Sequence, residues 1–235
     1  YISIDLKGFK VFETKDNSIK PIISLNDVYV GFNLWTILKG KYDIKTIKIK
    51  GGFIDVVQEL DNSYNIVKAF ESQKPIDDLE EEFHLDLKKI LLDQVEITKT
   101  NRTDSVSIYA DLDKAIVQFE KNPVHIKMGL DANFRLNILK HTDTTFFKNK
   151  HFDVKTFFTF NKENHKIQFE LSEIQFENGL FGMEGEIDFD DDFDVNLKFD
   201  GKKPNFDLLI AFAPTDLSET LNSYDNRGDI YFEAS

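Results

Sequence analysis

The feature that most constrains this chain is a small pattern repeated six times: an apolar residue, two mostly polar ones, an apolar residue, any residue, and an apolar residue again. The copies are Leu6-Phe9-Val11, Leu25-Val28-Val30, Ile44-Ile47-Ile49, Leu87-Ile90-Leu92, Leu112-Ala115-Val117 and Leu171-Ile174-Phe176, and the first three begin nineteen residues apart. A strand alternates its faces with a period of two, so a three-residue step followed by a two-residue step shifts the apolar parity once, as a bulge or bend does. The repeat therefore predicts curved strands stacked side by side. Self-similar units of this kind build elongated sheets with an inner face able to hold something.

Alternation outside the repeat extends the same reading. Val106, Ile108, Ala110 and Leu112, then Val124, Ile126, Met128 and Leu130, then Ile167, Phe169 and Leu171 each alternate with polar neighbours. Met183 to Phe189 and Phe193 to Phe199, joined through Asp190 to Asp192, read as a β-hairpin with one apolar and one charged face. Helical signals are short. Leu34 to Leu38 predicts one turn of helix, capped by Asn33 and ended by Gly40. Phe206, Leu209, Ile210 and Ala213 fall at helical spacing up to Pro214, and Asp216 with Glu219 resembles a capping pair opening a second helix through Leu221, so short helices are expected over 206–222. The segment from Glu71 to Glu82, with Lys74-Pro75 and a run of acids, predicts a mobile loop over 71–82. With so few helices an α/β crossover topology is disfavoured. The expected class is mainly β: a single domain over 1–235 built on a curved, elongated, antiparallel or meandering sheet that forms an apolar groove, with a few short helices.

Charge and composition exclude several functions. The 29 basic and 42 acidic residues give a formal charge of −13, which opposes the counterion release that drives nucleic-acid binding. The chain contains no cysteine, so neither a disulfide framework nor a zinc–thiolate site is available. Its longest unbroken apolar run, Leu208 to Ala213, is far below a membrane span. The chain begins at Tyr1 within an alternating segment and stops at Ser235 just after a strand-like Asp229 to Glu233, as a piece of a longer protein would.

Motifs of catalysis are missing. The histidines, His84, His125, His141, His151 and His165, lie in different segments without metal-ligand spacing. The acidic turn of Asp188, Asp190, Asp191, Asp192 and Asp194 lacks the glycine and the distal glutamate that a calcium loop needs, and reads as a solvated hairpin. No nucleophile elbow or phosphate-binding loop is present, and Gly51-Gly52 reads as a turn. Asn101-Arg102-Thr103 is a formal glycosylation sequon. Neither an enzyme nor a cofactor is expected. Phenylalanine, by contrast, is abundant at 23 residues, and Phe157, Phe158, Phe160, Phe193 and Phe199 supply apolar surface with few polar handles. That surface suits either a closed sandwich core or a groove for acyl chains.

Specific residues then point to a family. The run from Ile23 to Val57, with Leu34-Trp35-Thr36-Ile37-Leu38 ending at Gly40 and Gly51-Gly52-Phe53 leading into another strand, resembles the amino-terminal region of AsmA-like proteins. Asp61-Asn62-Ser63-Tyr64-Asn65-Ile66 is similar to that family's acidic turn and aromatic-Asn-Ile step, although Ser63 stands where Gly is common. Gly179-Leu180-Phe181-Gly182-Met183-Glu184-Gly185 with its hairpin, followed by the segment containing Ala213-Pro214, is similar to the next section.

The resemblance implies a non-enzymatic protein of the diderm bacterial envelope, anchored in the inner membrane by a helix absent from this sequence and extending into the periplasm. Its relatives include bridge-like lipid transfer proteins, so the implied partners are lipid acyl chains, the inner membrane and possible envelope proteins, with no nucleic acid. The implied role is phospholipid transport or outer-membrane biogenesis. Candidate groove residues are Phe158, Phe160, Phe169, Leu171, Ile187, Phe189, Val195, Leu197 and Phe199. The alternative is a structural or docking module of an envelope assembly, its concave face plugged by the helices of 206–222.

Overall fold

The computed structural model describes residues 2–14, 20–33, 37, 44–71, 87–140, 143–144, 147–188, 194–202, 206–224, 231 and 233–234. The protein is mainly β, with one mixed sheet not closed into a barrel. Its strands are β1 (Ile2–Val11), β2 (Ile23–Phe32), β3 (Ile44–Gln58), β4 (Lys89–Asn101), β5 (Val106–Lys121), β6 (His125–Lys140), β7 (Asp143–Thr144), β8 (Lys150–Asn161), β9 (Lys166–Phe176), β10 (Gly179–Asp188), β11 (Asp194–Gly201) and β12 (Glu233–Ala234). They follow chain order across the sheet, except that β7 pairs with β6 to one side of this path. The described helices are α1 (Asn65–Glu71), α2 (Asp207–Phe212) and α3 (Thr215–Asn222). Two compact units divide the chain: 1–114 with 137–145, and 115–136 with 146–235.

The repeat acquires a physical meaning in the first unit. Lys7, Asp27, Lys50 and Asp93 pair across β1 to β4, and so do Phe9, Leu25, Gly52 and Val95. Across this point every strand takes the three-residue step at once, Leu6 to Phe9, Val28 to Leu25, Ile49 to Gly52 and Leu92 to Val95, so the apolar rows change parity without any loss of register. Left-handed backbone makes this possible: Gly8 has φ 62°, Gly51 φ 68° and Gln94 φ 55°. The first two copies of the repeat straddle this seam. In the third, the step from Ile44 to Ile47 is a separate β-bulge, where Ile44 pairs with Phe32 and Thr46 with Gly31. Gly51-Gly52, expected as a turn, lies inside an unbroken β3.

One pairing departs from the expected antiparallel meander. β3 and β4 run parallel, from Thr46 opposite Lys89 to Gln58 opposite Asn101, and a parallel pair needs a crossover connection. Helix α1 belongs to that connection, and it was not legible in the sequence. Ala69 on α1 is fully buried and packs with Val11, Ile22, Ile23, Leu25 and Val28 as the core of this unit.

Asn65 fastens α1 to the sheet. β2 stops opposite Ile54. Beyond that point the Asn65 side chain serves the exposed edge of β3, its Oδ1 accepting from Val57 N at 2.8 Å and its Nδ2 donating to Asp55 O at 2.8 Å. The same Oδ1 also accepts from the N–H of the next residue, Ile66, at 2.7 Å. Asn65 is 2% exposed, and removing its amide leaves part-buried backbone groups of β3 without this partner. Asn65→Ala is expected to cost about 2–3 kcal/mol, read as a lowered urea midpoint. The acidic turn just before it is closed locally, with Asp61 accepting from Ser63 N at 3.0 Å and from the Ser63 hydroxyl. Those hydrogen bonds hold the Asp61 carboxyl below the usual carboxylate range.

Asparagines also begin three hairpin turns. Asn101 Oδ1 accepts from Thr103 N at 2.8 Å, Asn122 Oδ1 from Val124 N at 3.0 Å, and Asn161 Oδ1 from Glu163 N at 2.9 Å. The sequon asparagine is therefore a turn residue. Of the helix turn expected at Leu34 to Leu38, one bond is described, from Ile37 N to Asn33 O at 3.2 Å. The rest of that turn, and the expected loop from 72 onward, lie outside the described residues. Both carboxy-terminal helices form as expected. α3 starts from Pro214, ahead of Asp216, and the side chains of the expected capping pair, Asp216 and Glu219, lie outside the described residues.

Candidate functional site

Five strands of the second unit present one continuous apolar face, which the registers order into rows. The first row is Ile126, Phe160, Ile167, Ile187 and Val195. The second is Met128, Phe158, Phe169, Gly185 and Leu197. The third joins Leu130 and Thr156 to Ser172, Met183 and Phe199. The fourth is Ala132, Val154, Ile174, Phe181 and Gly201, and the fifth is Phe134, Phe152, Phe176 and Gly179.

Six of the nine predicted groove residues, Phe158, Phe160, Phe169, Ile187, Leu197 and Phe199, are half-buried on this face. Val195 has its register position there, opposite Ile187. Phe189 lies outside the described residues. Leu171 is a correction. Between Phe169 and Glu173 β9 carries one residue more than β8, opposite a step from Phe158 to Lys155. This bulge turns Leu171 away, 64% exposed, and puts Ser172 on the apolar face. Simple alternation from Phe169 places Leu171 inside; only the bulge reverses it.

Thr156 and Ser172 are the polar members of the rows, and they satisfy each other. Their hydroxyl oxygens are 2.7 Å apart and both residues are buried. Ser172 also donates to Glu170 O at 2.6 Å when the Thr156 hydroxyl donates to it. The rows therefore offer a ligand shape and apolar area, with no charge to recognise a headgroup.

Helix α2 covers one end of the face. Leu208 and Ala211 pack on Phe176 and Phe181, with Phe147 and Phe152 against the same cluster. Aromatic rings build this end: Phe134 and Phe152 stack at 5.2 Å, Phe152 and Phe176 at 4.6 Å, and Phe212 meets Phe176 edge-on at 5.2 Å. Beneath Phe212 is a cavity of about 260 Å³ lined by Phe147, Phe152, Ile174, Phe176, Phe181, Phe199 and Phe212. This hollow is partly open to solvent, and its apolar walls offer room for a short apolar segment. The described side chains of the first two rows are half-buried, and none of them belongs to the buried cluster under α2.

One residue of this site escaped sequence reasoning. Lys150 sits opposite Leu136, one step beyond the fifth row, and is 3% exposed. Its ammonium donates to Ala213 O at 2.7 Å, at the C-terminal cap of α2, and lies 5.8 Å from the Phe176 ring centre. It ties the covering helix to the sheet. The lysine occupies an inward place in the alternation Lys150-Phe152-Val154, the only signal that set it apart.

Among the described residues no cluster of His, Asp or Glu is arranged to hold a metal, and no helix is long and apolar enough to cross a membrane. No family model matches the chain, and no curated protein matches it.

Proposed function

We propose that this protein is a non-enzymatic lipid-binding module whose second unit holds acyl chains against the apolar face of β6 and β8 to β11. The observation that carries this reading is the uneven cover of that face among the described residues: at one end α2 buries Phe176 and Phe181 beside an all-apolar cavity, and at the other the side chains of the first two rows are half-buried with no described helix packed on them. Each methylene moved from water onto such a surface contributes about 0.8 kcal/mol, so a chain gains affinity by length without headgroup contacts. This fits the AsmA-like resemblance, in which lipid is conducted across the periplasm by an inner-membrane-anchored protein.

A docking role is favoured by a separate observation, the anchoring of α2 through fully buried Leu208 and through Lys150. One experiment separates the two. Purified protein is exposed to phosphatidylethanolamine vesicles carrying a photoactivatable acyl chain, and cross-linked peptides are mapped by mass spectrometry. Acyl binding predicts labels on β8, β9 and β11, and at least about a tenfold loss of labelling in Phe169→Glu and Leu197→Glu with the circular dichroism spectrum unchanged. Absence of labelling, or labelling indifferent to both substitutions, leaves the docking module as the surviving reading.

A further inference from the structure

The outer edge of β1 is a strand-pairing surface, and we propose that it pairs with β1 of a second copy of this chain, antiparallel and about a two-fold axis. β1 ends the sheet order, and among the described residues nothing pairs with its outer edge. Four apolar side chains on its inner face remain well exposed: Ile2 42%, Ile4 50%, Leu6 39% and Phe9 38%. Long edges of this kind template the addition of another strand.

The repeat specifies which strand fits. β1 pairs with β2 so that Leu6 opposes Val28 and Phe9 opposes Leu25, which sets seam against seam. β2 then uses the same seam on its other edge, where Val28 opposes Ile49 and Leu25 opposes Gly52. One strand can thus present this step to neighbours on both sides. The copies at Leu6 and Leu25 are nineteen residues apart, so β1 carries the same apolar spacing as β2. A second β1 taking the place of β2, but on the outer edge, sets Leu6 opposite Phe9 of the other copy and Ile4 opposite Val11.

In that register one opposite-charge pair forms on each side of the axis, while the two Lys7 side chains flank the axis, each held by Asp5 and Asp27 of its own chain. Asp5 falls opposite Lys10 of the other copy, and the two-fold axis repeats the pair. Asp5 and Lys10 both lie on the polar face, and both are exposed. Asp5 already takes the Lys7 ammonium of its own strand at 3.1 Å and, with its side chain 41% exposed, keeps room for a second cation. A register one residue away in either direction puts apolar side chains opposite polar ones, because the pleat alternates.

Sedimentation velocity on the whole 235-residue chain, from about 1 µM to about 1 mM, tests this. A concentration-dependent dimer is expected. Asp5→Lys is expected to raise its dissociation constant at least about tenfold, and Asp5→Lys with Lys10→Asp to restore it, each variant keeping the wild-type circular dichroism. The register is read with a short bis-maleimide in a chain that has no native cysteine: a Leu6→Cys chain mixed with a Phe9→Cys chain links 6 to 9. A monomer across the whole range overturns the proposal. So does a dimer indifferent to the charge exchange, or one linking 6 to 6 and 9 to 9 in preference.

Discussion

Gly52→Ala is expected to lower the unfolding free energy of the first unit by more than about 3 kcal/mol. A Cβ built on Gly52 stands 2.1 Å from Ser24 O and 2.7 Å from Leu25 Cα, both backbone atoms of the paired strand. Neither can swing aside as a side chain can, so β2 and β3 must separate where Leu25 joins the core. The conformation compounds the clash, since φ at Gly52 is 116°, which L-residues seldom adopt. Gly8 on the same seam is the control. It has φ 62° with nothing within 4 Å of an added Cβ, so Gly8→Ala should cost only the left-handed penalty of about 1–2 kcal/mol. Gly185→Ala should reproduce the large effect in the second unit, its Cβ meeting Asn196 O at 2.1 Å and Leu197 Cα at 2.9 Å. Urea unfolding followed by circular dichroism, with tryptic peptides assigning each transition to its unit, checks all three. A midpoint for Gly52→Ala equal to that of Gly8→Ala contradicts this reading.

Leu208→Ala is expected to cost about 3–4 kcal/mol and to free α2 from the sheet. Leu208 has no exposed surface, and it packs among Phe176, Phe181 and Ala211. Gly201 leaves room for it, since a Cβ there would come within 2.3 Å of Leu208 Cδ1. Truncation removes the apolar contact that holds a six-residue helix too short to persist alone. Hydrogen exchange gives the direct measure. The Leu209 and Ile210 amides, which donate to Phe206 O at 3.0 and 3.1 Å, should lose protection while β8 and β9 keep theirs. Phe212→Ala opens the cavity that Phe212 lines without removing the Leu208 contact. If acyl chains compete with α2 for the fourth and fifth rows, both substitutions should raise capture of the photoactivatable lipid. If the helix only completes a docking surface, neither should.

Much of this fold is legible along the chain because alternation is a local property. Val106 to Leu112 and Ile126 to Leu130 announce one-sided strands with no knowledge of their partners. Pro214, which no helix interior tolerates, separates α2 from α3 wherever the rest of the chain lies. The same local logic misassigned Leu171, because a bulge in β9 is defined by counting residues against β8 and β10. It also read Gly51-Gly52 as a turn. Two glycines together usually mark a reversal, whereas here they allow β3 to pass within a Cβ's reach of β2.

What the sequence by itself determined is therefore the class: strands apolar on one side, short helices near the carboxy terminus, an acidic surface and a reserve of phenylalanine. Tertiary structure alone decided which strands pair in parallel, that α1 covers the first unit through Asn65, and that Lys150 fastens α2 over one end of the Phe-rich rows. The physical reason is range. Side-chain period and helix breakers act over a few residues, but pairing direction, seam register and cover arise from groups such as Lys150 and Ala213, 63 residues apart in the chain and 2.7 Å apart in space.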